Sequence, residues 1–268
     1  MTALTVNDTL PTRGMNPLRA LQHGLTLTWR SIVKIRRNPE TLMDVTLQPI
    51  IFTVLFVFVF GGAIAGDWHK YLQFALPGLM VQTIVFSTIG TGLALNTDID
   101  KGVFDRFRSL PIARTGPLVG AVLGDLVRYA ISLAVLIGFA AILGYQFNAG
   151  FLNTLAACLL VLGFALTLCW AWVWLGLKMK KPQGFQGVGF MIMMPLTFGS
   201  NVFVQTTTLP GWMQAFVNVN PVAHLVDATR GLMLGGAVAR PLLFSLLWMA
   251  GFLVLFVPLA LRAYRRRT

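Results

Sequence analysis

Charge is what this sequence has least of. Only 11% of its residues are charged, and the nine acidic ones include a single glutamate, Glu40. Soluble domains carry roughly 25% charged residues, so most of this surface must face something other than water. Cysteine is nearly as scarce. Cys158 and Cys169 fall in one apolar run, about 16 Å apart along a helix axis, too far to bridge within it. No loop holds a cysteine, which excludes a disulfide framework and any CxxC metal site. His23, His69 and His224 are scattered, and no HExxH, Ser/His/Asp grouping or carboxylate cluster occurs. No metal site is expected, and an enzyme reading has little to stand on. A GxxxxGK[ST] phosphate loop is also missing, and no loop is long enough to house a soluble domain. No cleavable leader is expected, because the first apolar run begins near Pro49 behind a long polar and basic lead.

What fills the chain instead is hydrocarbon: 56% hydrophobic residues and a mean hydropathy of +0.73. Apolar runs near the ~20 residues that cross ~30 Å of lipid recur throughout. Window reading gives six spans, at about 48–66, 71–96, 117–143, 151–177, 186–205 and 240–262. The expected fold is therefore an all-α integral membrane protein with six transmembrane helices. Of the 21 Lys and Arg residues, all but Lys70, Arg128, Arg230 and Arg240 lie in the N-terminal region, the second and fourth interspan loops, or the C-terminal tail. That bias places both termini in the cytoplasm. It also accounts for the net charge of +12 without a nucleic-acid partner.

Residues 1–16 read as a flexible cytoplasmic tail. Over 17–47 comes an interfacial amphipathic helix and lead-in. There Leu18, Leu21, Leu25, Trp29 and Ile32 recur at helical spacing, and Arg30, Lys34, Arg36 and Arg37 gather toward the end. This pattern suits the headgroup layer, with Trp at the interface and basic side chains reaching lipid phosphates. Residues 48–268 form the transmembrane domain. Within it, residues 208–236 are apolar but broken by Pro210, Pro221 and Gly231. The spacing predicts an outer re-entrant hairpin of two short helices, with Asn220 as N-cap, Pro221 at the first helical position, and an Asp227–Arg230 pair.

The stretch DIDKGVFDRFRSLP, residues 98–111, packs six charges into an otherwise apolar chain. A helix begun after Gly102 puts Val103, Phe104, Phe107 and Leu110 on one side and Asp105 and Arg108 opposite, and Pro111 ends it. Paired phenylalanines among charges of both signs fit a protein partner, with apolar anchors for affinity and surrounding charges for register. Asp125 and Arg128, three apart in the third span, read as a mutually neutralising pair, with a substrate or proton role as the alternative. Phe190, Met191, Met193, Met194 and Phe198 in the fifth span give a soft, polarisable surface. That surface serves either a flat aromatic ligand on a substrate path or ordinary packing.

DIDKGVFDRFRSLP, then VGAVLGDLVRY, MPLTFGSNVFV and LPGWMQAFVNVNPVAHLVDATRGL, resemble the permease subunit of ABC-2 type exporters. Among these, the resemblance is to the daunorubicin/doxorubicin-resistance permeases, from about Trp29 to Tyr264. It implies a six-span permease that pairs with a second permease copy, as a homodimer, and binds two copies of an ABC ATPase. That ATPase carries ATP and Mg, and this chain binds no cofactor. By the same resemblance the interfacial helix and the 98–111 segment form the ATPase-docking surface, the latter as a coupling helix. Asp98, Gly102, Asp105, Arg106, Arg108 and Pro111 match the family pattern there. The resemblance also places the conduit between the first and fifth spans. The implied activity is ATP-driven export of amphipathic aromatic, anthracycline-like compounds across the cell membrane. A lipid or polysaccharide exporter of the same fold is the alternative. An ion-coupled secondary transporter would want midplane acids, and this chain offers only Asp125, already beside an arginine.

Overall fold

A computed structural model describes residues 39–102 and 116–267. Every regular element among the described residues is helical, the only open-chain form that satisfies its own backbone in lipid. The first helix begins earlier than the apolar run suggests. α1 (Pro39–Val54) passes through a π-helical turn, Leu55–Phe60, into α2 (Gly61–Ala65). Next come α3 (Trp68–Asp100), α4 (Gly116–Ile142), α5 (Gly150–Lys178), α6 (Pro182–Phe198), α7 (Gly211–Val219), α8 (Pro221–Leu234) and α9 (Ala239–Arg267). Five of these units are long and apolar enough to cross a membrane: Val45–Ala65, Trp68–Asp100, Val122–Ile142, Gly150–Lys178 and Ala239–Tyr264. The chain is a multi-pass membrane protein.

The expected fifth span is shorter than its apolar run. α6 has 17 residues, a rise of about 26 Å, and it stops at Phe198 rather than near 205. Pro195 lies within its last turn and has no N–H to give back to the helix. Thr197 Oγ1 donates to the Met193 carbonyl (2.7 Å) and Ser200 Oγ to that of Thr197 (2.5 Å). Asn220 then joins two helix ends. Its Nδ2 donates to Leu196 O (2.7 Å), and its Oδ1 accepts from Val222 N (2.9 Å) as the N-cap of α8.

α3 is the central post. Two-thirds (67%) of its most apolar window is buried inside the chain, against 6% for α9 at the rim. Helices in lipid gain little from apolar burial and associate through close packing and hydrogen bonds. The α3–α5 seam uses both. A Cβ on Gly92 would stand 2.6 Å from Trp172 O and 2.5 Å from the Phe185 ring, and one on Gly176 would stand 2.7 Å from Gly92 O. Asn96 Nδ2 donates to the Gly176 and Met179 carbonyls (2.7 and 2.9 Å), and Trp172 Nε1 to Thr88 Oγ1 (2.9 Å). A Cβ on Gly61, near the end of the first span, would stand 2.9 Å from Trp68 Cα, and one on Gly189 would stand 3.1 Å from Ile89 Cγ2.

Candidate docking end and substrate groove

One end of the bundle carries Lys101, Lys178, Lys180, Lys181 and Arg262. α3 terminates there. Lys101 N donates to Thr97 O and Gly102 N to Ile99 O, both at 3.0 Å. Gly102 has a φ of +68°, which a residue with a Cβ adopts only under strain. The glycine that opens the expected coupling helix is thus also what ends α3. Asp98 and Asp100 are exposed in the last turn, where the helix dipole disfavours anions. Val103, Phe104, Asp105, Arg106, Phe107, Arg108 and Pro111 lie outside the described residues, as do Trp29, Arg30, Lys34, Arg36 and Arg37.

Further in, a polar knot ties three helices. Asp125 Oδ1 stands 3.5 Å from Arg128 Nε, and Thr91 Oγ1 donates to Asp125 Oδ2 at 2.5 Å. Tyr129 OH lies 2.8 Å from Thr91 Oγ1, and Cys169 Sγ is 3.5 Å from both hydroxyls. Arg128 Nη2 donates to Ser87 O at 3.1 Å. The ionic pair therefore belongs to a network spanning α3, α4 and α5. Low dielectric strengthens such a network when its members are satisfied.

A second pair holds the opposite end. Asp227 Oδ1 lies 3.6 Å from Arg230 Nη1 and accepts from Asn201 Nδ2 at 2.5 Å. Burial pushes the Asp227 carboxyl above its ordinary value, against the pull of Arg230 and Asn201. Arg230 does more than pair. Nη2 donates to Asn201 O (3.0 Å) and Nε to Phe74 O (3.4 Å), and the guanidinium stacks 4.0 Å over the Phe74 ring. Removing one partner of a buried ion costs about 3–5 kcal/mol. With Asp227 42% exposed, about 1–3 kcal/mol is expected of Asp227→Arg once solvent screening is counted. Swapping the two charges (D227R with R230D) is not expected to restore stability. An aspartate at 230 cannot donate to the Asn201 and Phe74 carbonyls. Thermal unfolding of single and double variants in detergent checks this, and full recovery in the double would show that the ionic attraction alone holds the hairpin.

Between these ends runs a groove. α1 and α6 both lean on α3, but among the described residues not on each other. α3 forms the floor. Gln48 and Phe52 of α1 and Gln82, Thr83 and Phe86 of α3 line a notch in it. Phe86 meets Phe190 of α6 at 6.3 Å between ring centroids. Toward the hairpin end, Phe203 stacks on Phe56 (4.0 Å, 21° between planes) and on Phe198 (5.4 Å, 27°), closing the gap with three rings. Beyond that stack Ile64, Lys70, Tyr71, Phe74, Gln205 and Thr208 line an open cavity. Tyr71 OH pins the plug by donating to Phe203 O at 3.0 Å.

Of the expected path residues, Phe190 and Phe198 join this groove. Met191 (75% exposed) and Met194 stand on the open face of α6, while Met193 is buried. Gln48, Phe52, Phe56, Gln82, Phe86 and Phe203 escaped the sequence reading. A Phe52/Phe56/Phe60 ladder at i, i+4 spacing was the available signal.

The ABC-2 type transporter family model matches residues 22–234. The chain belongs to that family. It is 41% identical to the daunorubicin resistance ABC transporter permease protein DrrB1 of Streptomyces coeruleorubidus, over 97% of this chain and 92% of that one. It is 27% identical to the probable doxorubicin resistance ABC transporter permease protein DrrC of Mycobacterium tuberculosis, over 90% and 88%. The putative transport permease ycf38 of Cyanophora paradoxa is 26% identical, over 79% and 74%. The first two carry the name of ABC transporter permeases and the third that of a transport permease, and membership in this family implies an ATPase partner.

Proposed function

We propose that this chain is the permease subunit of an ATP-driven exporter of flat, amphipathic aromatic compounds of the anthracycline kind. The observation that carries the reading is the identity of 41%, nearly end to end, with a daunorubicin resistance permease. The phenylalanine-walled groove gives that likeness a physical basis, because stacked and edge-on rings hold flat aromatic solutes.

In this reading the end bearing the lysines faces the cytoplasm, both termini with it, and the hairpin of α7 and α8 faces outward. A homodimer sets two grooves against each other, and two ABC ATPases dock on the 98–111 segments and the N-terminal helices. ATP and Mg bind only to those ATPases. The paired carboxylates Asp98 and Asp100, kept where the helix dipole disfavours them, suit a partner surface. Closure of the ATPases pushes the coupling segment against α3. The Gly92–Gly176 seam and the Asp125 knot carry that push into α5 and α4, prying the groove open past Phe203.

Co-expression with its ATPase, followed by reconstitution in lipid, tests this. Daunorubicin is expected to stimulate ATP hydrolysis severalfold and to accumulate in inverted vesicles only when ATP is present. Accumulation driven by an ion gradient without nucleotide would overturn the reading.

A further inference from the structure

Gln82 is the most deeply buried polar side chain lining the notch, and the aromatic walls do not explain it. It sits near the middle of α3, is 3% exposed, and its Oε1 has no hydrogen-bond partner among the described residues. Gln48, half-buried on α1, lines the same notch with Phe52, Thr83 and Phe86. A buried amide without a partner is unfavourable anywhere and most of all at membrane depth. A leucine would fill the same space with no polar atoms to satisfy. Each other buried polar side chain of α3 makes at least one hydrogen bond: Thr88 with Trp172, Thr91 with Asp125, and Asn96 through Nδ2 with two carbonyls, although Asn96 Oδ1 also has no partner among the described residues.

We propose that the Gln82 amide, with Gln48 beside it, is the polar recognition point of the groove, hydrogen-bonding a hydroxyl, amine or carbonyl group on a flat aromatic substrate. An amide offers both donors and acceptors, so it reads a ring edge that carries oxygen substituents. Phe52 and Phe86 flank the notch, whose volume of about 10 Å³ admits a single substituent, so the ring itself lies outside it along the groove. Affinity then comes from the aromatic walls, and discrimination from the amide. A site built to hydrogen-bond a substituent rejects analogues that lack it far better than an apolar pocket can. The inference rests on the groove being the substrate route.

The test compares two probes on the full chain in lipid nanodiscs. Daunorubicin bears hydroxyl and quinone oxygens, whereas tetraphenylphosphonium is an aromatic cation with no hydrogen-bonding group. Gln82→Leu and, as a second shape, Gln82→Met are expected to weaken daunorubicin binding about tenfold, the worth of roughly one good hydrogen bond. Tetraphenylphosphonium binding should stay within about twofold. Both variants should unfold at or above the wild-type temperature, because each removes an unmatched buried amide. An equal change for the two probes, or none, overturns the proposal and leaves the amide as the holder of a buried water. If the wild-type chain binds neither probe, the aromatic-export reading falls, and this inference falls with it.

Discussion

Replacing Phe104 and Phe107 together with alanine is expected to leave the protein in the membrane at wild-type yield and to abolish daunorubicin-stimulated ATP hydrolysis. The expectation starts from spacing. In a helix begun after Gly102 the two rings fall on one side with Val103 and Leu110, and Asp105 and Arg108 fall opposite. α3 ends just before that segment, where Gly102 has a φ of +68°. Truncating an aromatic anchor at an interface centre costs about 2 kcal/mol or more. Two such losses amount to about 4 kcal/mol, a thousandfold in affinity, enough to release the ATPase at ordinary concentrations. Removing Asp105 or Arg108 should act differently, slowing association and changing its salt dependence. Co-purification of the ATPase in 50 mM and 500 mM salt (about 14 and 4 Å of screening length) separates the two classes. Undiminished stimulation in the double alanine variant would move the docking surface elsewhere.

The sequence announces whatever depends on composition or short range. Long apolar runs gave the helices, and the helical spacing of Asp125 with Arg128 and of Asp227 with Arg230 put each pair within reach. Asn220 before Pro221 marked a helix start because capping is a local event. Other features depend on which helices become neighbours, and no periodicity states that. α6 stops early through the joint action of Pro195, Thr197 and a side chain 24 residues onward, Asn220. The groove needs α1 and α6 to straddle α3. Its plug, Phe203, lies in the very residues where an unbroken span was expected. Gln82 shows the limit best: a glutamine in an apolar run reads as an ordinary polar interruption until its neighbours show that none of the described residues satisfies its Oε1. The two charged pairs carry a related lesson. Their partners along the helix were visible, but Thr91 and Ser87 for one, and Asn201 and Phe74 for the other, join from distant positions. That is why charge swapping is not expected to rescue the second pair.

The other large effect is expected at Gly92, where the motor's push would have to pass. A leucine there has no room. Its Cβ alone would sit 2.6 Å from the Trp172 carbonyl oxygen and 2.9 Å from the carbon behind it. A flexible side-chain tip can swing aside, but a helix backbone moves only with the whole of α5. Overpacking a core by a few atoms costs about 1–3 kcal/mol, and here displacing α5 also breaks the Asn96 bonds to Gly176 and Met179 and the Trp172 bond to Thr88. Each such bond is worth roughly 1 kcal/mol, so Gly92→Leu is expected to lose about 4–6 kcal/mol in all, near the whole stability of a small domain. The protein should then aggregate on extraction. Gly251→Leu on α9, where a Cβ meets nothing within 4 Å, should unfold within a degree or two of wild type. Gly92→Ala is the informative intermediate. It should fold with a lowered unfolding temperature and still bind its ATPase, because the docking segment is untouched. With the seam held apart, however, ATP hydrolysis should lose its response to drug. An alanine variant as drug-responsive as wild type would mean that the work travels by a route other than α3 and α5.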